Sequence, residues 1–199
     1  MSDQHPSPAS MAGPAARQPA AGHTAADHGD PSCDVAHGAA PAPAASRTLV
    51  AVFTSPVASY LLRYAGDAGF RPVLVEPDPQ RAKLGDPAGD GVIVAGGFDG
   101  YLDDATDVVV TDHHRPELGP VLRDALTGKT RWVGVMGNPR HPAPHVPALA
   151  ALGVAETDIG RVHRPIGLNI GSHTPAEIAL ATLAGLIADR NGRPGGFEF

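Results

Sequence analysis

The glycine-rich stretch at residues 164–174 has the residue types and spacing that anion binding requires. It leads into a capping box, Thr174 followed by Glu177, with proline at the first helical position. A helix N-terminus that follows such a loop offers backbone N–H groups and the positive end of the helix dipole to an anion. The stretch therefore predicts one wall of an anion site, with the candidate residues Gly167, Asn169, Gly171 and Thr174.

Hydroxyl and carboxylate side chains follow the first two apolar runs of the chain. Thr54 and Ser55 come directly after Leu49–Phe53, and their hydroxyl groups can contact a phosphate, although a helix N-cap explains Ser55 more simply. Glu76 ends the run Pro72–Glu76 at the spacing of the acid that binds ribose in dinucleotide-binding domains. The G-x-G-x-x-G that accompanies this acid is missing, so a ribose contact and an ordinary surface acid are equal alternatives.

A histidine-containing loop, Thr111-Asp-His-His-Arg115, follows the apolar run 107–111. Neighbouring residues rarely point at the same ion, and no second His or Cys pair in the sequence has ligand-like spacing. We therefore expect no metal site and interpret the loop as a polar segment at a ligand edge. Thr111 and either His113 or His114 are the candidate contacts in this loop.

A second loop, Gly137-Asn-Pro-Arg-His141, follows the apolar run 131–136. Gly137 permits close approach of the backbone to a ligand, and Arg140 can hold a phosphate through two parallel hydrogen bonds. An ordinary strand-to-helix turn with a solvated arginine explains this loop equally well.

These candidate residues need a framework that brings the ends of the apolar runs together. Short continuous apolar runs indicate strands that are buried on both faces. Their alternation with helical segments predicts an α/β fold, a doubly wound, mostly parallel, Rossmann-like sheet whose strand ends share one ligand edge. The predicted strands are 49–53, 72–76, 92–94, 107–111 and 131–136, and the predicted helices are 57–68, 116–126, 144–152, 158–162 and 175–190.

The first 46 residues differ in composition from the rest of the chain. They consist mostly of Ala, Pro, Gly, Ser, His and Asp, and Val35 is their only branched aliphatic residue. Such a segment cannot bury enough apolar surface to offset its ordering entropy, so residues 1–46 are predicted to be a disordered tail. Residues 47–199 then form one Rossmann-like domain. The single cysteine, Cys33, excludes an intrachain disulfide and fits a reducing compartment.

The overall charge and hydrophobicity exclude several classes of partner. The formal net charge is −6, which argues against nucleic acid as the main partner. No apolar run reaches membrane-spanning length and the N-terminus lacks the apolar core of a signal peptide, so we expect no membrane partner and a cytoplasmic location. The final predicted helix is apolar nearly all round, which is typical of burial or of a subunit contact such as a homodimer.

Three of these blocks resemble the Rossmann domain of the XdhC/CoxI family. They are Thr111-Asp-His-His, Trp132-Val-Gly-Val-Met-Gly-Asn-Pro-Arg140 and, above all, Arg164-Pro-Ile-Gly-Leu-Asn-Ile-Gly-Ser-His-Thr-Pro-Ala-Glu-Ile-Ala179. The corresponding family patterns are T-H-D, Y-[IV]-G-x-[LM]-G-S-x-R and P-[IV]-G-L-D-I-G-[AS]-x-T-P-x-E-I-A. The resemblance covers residues 48–193.

The chain differs from the family patterns at three points. The family's first turn resembles G-A-G-H, whereas this chain has Thr54-Ser-Pro-Val57. Asn138 stands where the family has serine, and Asn169 stands where it has aspartate. Because the first turn lacks the glycines, binding of NAD or NADP is not expected.

The resemblance implies an accessory protein for the maturation of molybdenum hydroxylases. Such a protein binds molybdopterin or the molybdenum cofactor and assists its insertion into an apoenzyme of the xanthine or carbon monoxide dehydrogenase type, which is the implied partner. No residue group supplies a nucleophile with its base, so a non-enzymatic cofactor-binding chaperone is favoured and no catalytic residue is named. The implied ligand edge comprises Thr111, His113, Gly137, Asn138, Arg140, Gly167, Asn169, Gly171 and Thr174.

Two other hypotheses are compatible with the sequence. The first is a nucleotide-dependent oxidoreductase on the same fold. The second is a non-catalytic, degenerate paralogue that binds a partner protein and no cofactor.

Overall fold

The structure, a computed structural model, describes residues 31–40, 47–85, 91–98 and 100–196. The chain divides into two units, Met1–Pro41 and Ala42–Phe199. In the first unit, helix α1 spans Pro31–Ala36, within the segment whose composition predicts disorder. Most of the predicted tail lies outside the described residues, so its disorder stays a prediction.

The second unit contains alternating strands and helices. In chain order they are β1 (Arg47–Val52), α2 (Pro56–Asp67), β2 (Phe70–Glu76), α3 (Pro79–Ala82), β3 (Val92–Ala95), β4 (Thr106–Val110), α4 (Leu118–Thr127), β5 (Trp132–Val135), α5 (His145–Ala150), α6 (Glu156–Ile159), β6 (Val162–His163) and α7 (Pro175–Arg190).

The strands form one sheet in the order β3-β2-β1-β4-β5-β6. Every neighbouring pair is parallel, so the predicted doubly wound, Rossmann-like fold is confirmed. Strand order reverses between β1 and β4, which are neighbours in the sheet although β2 and β3 lie between them in the chain. The crevice beyond this reversal is where ligands usually bind in such sheets.

The sheet is buried on both faces because its strands consist largely of branched aliphatic residues. On β1, Val50 and Val52 belong to the core under α4 and α5, whereas Leu49 and Ala51 belong to the core under α2 and α7. This alternation follows from the two-residue period of a strand. Both halves of the core thereby fix where the strands end, and so where the candidate residues lie.

The five predicted strands agree with β1 to β5 to within two residues at either end. Strand β6 is not predicted, because two residues carry no recognisable pattern and their extended shape depends on pairing with β5. The helix predicted at 158–162 is α6, which ends at Ile159. Helix α4 begins at Leu118 rather than at residue 116, because a turn closed by the Leu118 N–H and the Arg115 carbonyl precedes it.

Candidate functional site

The carboxyl ends of the strands bring most of the candidate residues to one edge of the sheet. Beyond β1 and β2 lie Phe53–Ser55 and Glu76, and beyond β4 lie Thr111–Arg115. Beyond β5 and β6 lie Met136–His141 and Arg164. This edge has two halves of different character.

In the first half, hydroxyl groups join the loops after β1 and β4. The Thr111 hydroxyl lies 2.9 Å from the Val52 carbonyl oxygen and 3.0 Å from the Ser55 hydroxyl. The Ser55 hydroxyl also accepts from the Ala58 N–H, which confirms Ser55 as the N-cap of α2. These hydroxyl groups already form hydrogen bonds within the protein. Their contact joins the loops after β1 and β4 across the crevice in which a ligand would bind.

Glu76, at the end of β2, is a fully buried and fully partnered carboxylate. It has 0% exposure and forms a two-pronged ion pair with Arg115, at 3.0 and 3.3 Å. The backbone N–H groups of Thr54 and Asp78 donate to the same carboxylate, at 2.8 and 3.1 Å. Burial raises the pKa of Glu76, but the hydrogen bonds and the Arg115 charge outweigh burial and hold the pKa below its ordinary value.

Phe53 completes this half with an unusual backbone. Its φ angle is +74°, a left-handed conformation that bulky residues rarely adopt, and its side chain is fully buried. The Arg115 guanidinium carbon lies 4.6 Å from the centre of the Phe53 ring, in cation–π contact. The surrounding core therefore holds Phe53 in a backbone conformation that costs about 1–3 kcal/mol, directly before the first turn.

We call this part of the edge the closed half; it comprises Phe53–Ser55, Glu76, Thr111 and Arg115. A ribose hydroxyl has no access to the Glu76 carboxylate in this arrangement, since protein donors surround it and none of its surface is exposed. The structure therefore places Glu76 as an internal anchor for the loops after β1 and β4, in contrast to the ribose contact considered from its spacing.

In the second half, His113 connects the loop after β4 to the end of β5. Its ring is hydrogen-bonded to the Met136 backbone and lies 4.0 Å, between ring centres, from His114. Burial lowers the pKa of His113, and the nearby His114 and Arg164 charges lower it further, against the opposing effects of Asp112 and the Met136 hydrogen bond. His113 is the more enclosed of the two candidate histidines, since His114 is exposed.

Arg164, directly after β6, holds the loop after β5. Its Nη2 donates to the Asn138 carbonyl oxygen at 2.9 Å, and its Nη1 donates to that of His141 at 3.3 Å. A Cβ atom on Gly137 would lie 2.7 Å from Arg164 Nε, so Gly137 leaves the space that the guanidinium fills. The glycine expected to admit a ligand instead admits an arginine.

The remaining groups of this half are exposed or lack partners. The Asn138 side-chain oxygen accepts from the Arg140 N–H at 2.9 Å, and both residues are exposed. His145, at the start of α5, is only 5% exposed, and its Nδ1 has no hydrogen-bond partner. Burial, followed by the Arg164 charge, lowers its pKa. We call His113, Gly137–His141, His145 and Arg164 the open half.

The glycine-rich loop before α7 packs against that helix. The Leu168 N–H donates to the Ala181 carbonyl at 3.0 Å, and a Cβ on Gly167 would lie 3.0 Å from the α7 backbone. The loop therefore packs along the middle of α7. Asn169 and Gly171 are exposed, and among the described residues no hydrogen bond connects them to the loops after β4 or β5.

The N-terminus of α7 is closed by its own side chains. Thr174 accepts from the Glu177 N–H, while the Glu177 carboxylate accepts from the N–H groups of His173 and Thr174, at 2.6 and 3.0 Å. The capping box is thus confirmed. These donors, which the sequence suggests for an anion, already have partners, and the carboxylate among them repels a second negative charge.

Cavities in the described part of the chain are small. One cleft of about 160 Å³ lies between Leu126, Arg131 and Arg161, and another of about 140 Å³ is lined by Trp132, Ile166 and Gly185. Ligand pockets for drug-sized molecules measure about 300–1,000 Å³. Neither cleft is lined by the residues of the open half. No cluster of three or more metal-ligating side chains and no helix long and apolar enough to cross a bilayer occurs in the described ranges.

Comparison with known proteins identifies the family. Residues 49–186 match the XdhC Rossmann domain. The chain belongs to the XdhC family. The match covers β1 to β6 and most of α7, and so includes both halves of the edge.

Two similar proteins extend this result. The uncharacterized Escherichia coli K12 protein YqeB is 42% identical over 65 residues, which are 33% of this chain and 12% of YqeB. A crystal structure of a xanthine dehydrogenase from Bacillus halodurans has a TM-score of 0.58 and 21% identity, covering 76% of this chain and 45% of that chain. The chain thus matches less than half of each relative, and the structural likeness shows the shared fold.

Sequence reasoning missed three residues that organise the edge. Arg115 and Arg164 stand inside the quoted blocks, but the sequence gives no sign of their partners, which are 39 and 26 residues away in the chain. Recognition of β6 would have placed Arg164 at a strand end beside the other candidates. The sequence around His145 has no pattern that marks it as a site residue. It is notable only because it is buried in the folded structure.

Proposed function

We propose that this XdhC-family chain binds molybdopterin or the molybdenum cofactor and assists its insertion into a molybdenum hydroxylase of the xanthine or carbon monoxide dehydrogenase type. Family membership supports the general role. The observation that carries the proposal is the grouping of two family blocks at one edge, where Arg164 of the last block holds the loop that contains Asn138 and Arg140.

The residues of the open half fit a phosphate-bearing cofactor. Arg164 supplies a cation, Asn138 and Arg140 are exposed, and His113 lies on the neighbouring loop. Bound there, the cofactor would supply the redox centre that the client enzyme needs. The resemblance also implies contacts from Thr111, Gly137, Gly167, Asn169, Gly171 and Thr174. In this structure Arg164 fills the space at Gly137 and Glu177 binds the N–H of Thr174, so the proposed phosphate contact rests on Arg164, Asn138 and Arg140. Thr54, Ser55 and Glu76 hold the loops of the closed half.

The shape of the edge suits a carrier that releases its ligand. Since Asn138 and Arg140 are exposed, a cofactor that they contact would be partly exposed. A client apoenzyme can then contact the cofactor and the carrier together. We further propose that the closed half excludes NAD and NADP, because Glu76 and the hydroxyl groups of Thr111 and Ser55 are already bound within the protein.

The decisive experiment measures cofactor retention and transfer. The full chain is purified from cells that make molybdopterin, and the bound pterin is quantified by mass spectrometry. We expect the wild type to retain pterin and Asn138→Ala with Arg140→Ala to retain about tenfold less, since a charge-assisted contact contributes about 1.5–3 kcal/mol. Arg123→Ala with Asp124→Ala, an exposed ion pair on α4, is the matched control.

The transfer arm measures the molybdenum content of a co-expressed xanthine dehydrogenase. Loss of molybdenum loading without the chain, restored by wild type but not by the Asn138 and Arg140 variant, supports the proposal. A wild-type protein that retains no pterin and leaves loading unchanged contradicts it. Full loading of the client by the double variant would instead favour the alternative function, in which the chain binds a partner protein and no cofactor. The small clefts and the first turn without glycines support that alternative.

A further inference from the structure

Arg164 carries a positive charge that no nearby carboxylate balances. Two other arginines at the sheet, Arg115 and Arg131, are neutralised within the protein, by Glu76 and Asp107 respectively. Across the part of the chain that the structure describes, no carboxylate forms an ion pair with Arg164. Its guanidinium is nevertheless partly buried and rigidly held.

The position of this guanidinium is fixed by backbone groups. Two of its five N–H donors bind the carbonyl oxygens of Asn138 and His141. The Nε and Nη2 atoms pack against Gly137, in the space that a side chain there would fill. Nε is buried without a hydrogen-bond partner. Nη1 and Nη2 each carry a second hydrogen, and among the described residues neither atom forms a further hydrogen bond or an ion pair. Arginine binds phosphate through N–H donors of this kind.

Two imidazoles lie within the field of the same cation. Arg164 lowers the pKa of both His113 and His145, after the larger effect of burial on each. The charged groups that act on His113 are His114, Arg164 and Asp112, and only Arg164 acts on His145. An anion bound at Arg164 would oppose this effect of the cation and raise the pKa of both rings.

The loss of hydration at the Arg164 guanidinium favours binding of an anion there. A partly buried cation surrounded by carbonyl dipoles and neutral rings loses hydration without gaining an opposite charge. Charge-assisted hydrogen bonds to an oxyanion compensate that loss, and they are about twice as strong as neutral ones. No comparable need exists in the closed half, where Glu76 already balances Arg115.

We propose that Arg164, with His113 from the neighbouring loop, is the oxyanion-binding group of this edge and takes the phosphate of a phosphomonoester. The assignment of that phosphate to the pterin cofactor rests on the proposed function; the oxyanion site itself rests on the contacts of Arg164.

The first test uses inorganic phosphate as the probe. Binding to the full chain is measured by isothermal titration at pH 7 for the wild type, Arg164→Gln, Arg164→Lys and the control Arg123→Gln. We expect saturable binding by the wild type and the control, at least about tenfold weaker binding by Arg164→Gln, and intermediate binding by Arg164→Lys, which keeps the charge but loses the fork. Absence of wild-type binding, or equal binding by Arg164→Gln, overturns the proposal.

A second measurement on the wild type needs no mutation that disturbs folding. The pKa of His113 is followed by NMR with and without phosphate. An increase of the pKa on phosphate addition supports the site, because the anion stabilises the imidazolium form. An unchanged pKa at a phosphate concentration that saturates the protein places the anion elsewhere and overturns the assignment.

Two outcomes separate this inference from the proposed function. Phosphate binding that depends on Arg164, in a protein that retains no pterin, supports the oxyanion site and contradicts cofactor carriage. Pterin retention that is equal in Arg164→Gln and the wild type supports carriage and contradicts the role of Arg164. Competition between inorganic phosphate and cofactor released from a molybdenum hydroxylase shows whether the phosphate of the cofactor occupies this site.

Discussion

The closed and open halves of the sheet edge are built from the same kinds of residue but are balanced differently. In the closed half, Arg115 meets Glu76, and the hydroxyl groups of Thr111 and Ser55 meet each other. In the open half, the hydrogen bonds of Arg164 to described residues all go to carbonyl oxygens, and His145 Nδ1 has no hydrogen-bond partner among those residues. The comparison teaches that the strand reversal provides a place for a ligand, whereas the local balance of charge and hydrogen bonds decides whether the place is available.

The buried ion pair provides the largest expected effect. Arg115→Met leaves the Glu76 carboxylate buried without its counter-charge, so we expect the free energy of unfolding to fall by about 3–5 kcal/mol. Urea denaturation measures the change. Arg123→Met, which breaks an exposed pair with Asp124, serves as the control and is expected to cost less than about 1 kcal/mol. Similar costs for both variants would remove the distinction between buried and exposed pairs.

The same pair predicts how stability depends on acidity. The folded-state pKa of Glu76 is lowered, so its stabilising contribution is present above the unfolded value of about 4.3 and is lost as the pH falls through the folded value. In Glu76→Gln, the acid-induced loss of stability should therefore be smaller than in the wild type. Identical pH profiles in urea denaturation would contradict the assigned pKa direction.

The loop after β5 is expected to depend on the guanidinium above Gly137. Gly137→Ala places a methyl group against Arg164 Nε and Nη2, which displaces two hydrogen bonds to carbonyl oxygens at a cost of about 1–2 kcal/mol. In an Arg164→Ala background the same change should cost almost nothing. A double-mutant cycle by urea denaturation measures this coupling, and additive effects would show that the two residues act independently.

Position 53 tests the strain in the closed half. Replacement of the buried Phe53 by alanine is expected to cost about 3–5 kcal/mol. Glycine, although it is smaller, should be less destabilising than alanine by about 1 kcal/mol, because it accepts the positive φ angle. Thermal or urea unfolding of Phe53→Ala and Phe53→Gly makes the comparison, and the opposite order would mean that the backbone relaxes once the ring is removed.

The smallest expected effect concerns the histidines of the open half. Burial will keep the pKa of His113 and His145 below the ordinary value in Arg164→Gln, but loss of the cation should raise each pKa above its wild-type value. NMR titration of the imidazole resonances measures the shift. The variant Arg123→Gln should leave both values unchanged, and an equal shift there would exclude a specific effect of Arg164.

Much of the fold could be predicted because its signals are local. The run Leu49–Phe53 is apolar without interruption, and Ser55-Pro56 and Thr174-Pro175 mark helix starts that the structure confirms. Strand β6 could not be predicted, since its two residues are extended only by pairing with β5. The family block from Arg164 to Ala179 was informative for a different reason, because its pattern indicates family membership rather than local structure.

The candidate site was less predictable than the fold. Spacing placed Thr111, His113 and Gly137 at strand ends correctly, because parallel strands share their carboxyl edge. Spacing did not show that Glu76 would be buried by Arg115, nor that Glu177 would fill the N-terminus of α7. These outcomes depend on which side chain in the folded protein contacts a given polar group. Glu76 and Arg115 are far apart in the chain, so the sequence does not show that they form a pair.

The sequence by itself determined the alternating elements, the parallel sheet, the helix caps and membership of the XdhC family. Each of these follows from residues that are close together in the chain, through apolar runs, capping residues and contiguous motifs. Only the tertiary structure decided which charges are balanced, which glycine makes room for an arginine and which half of the edge stays open. The physical reason is that electrostatic balance and exclusion of water depend on contacts between distant segments, and these contacts exist only after the sheet has formed.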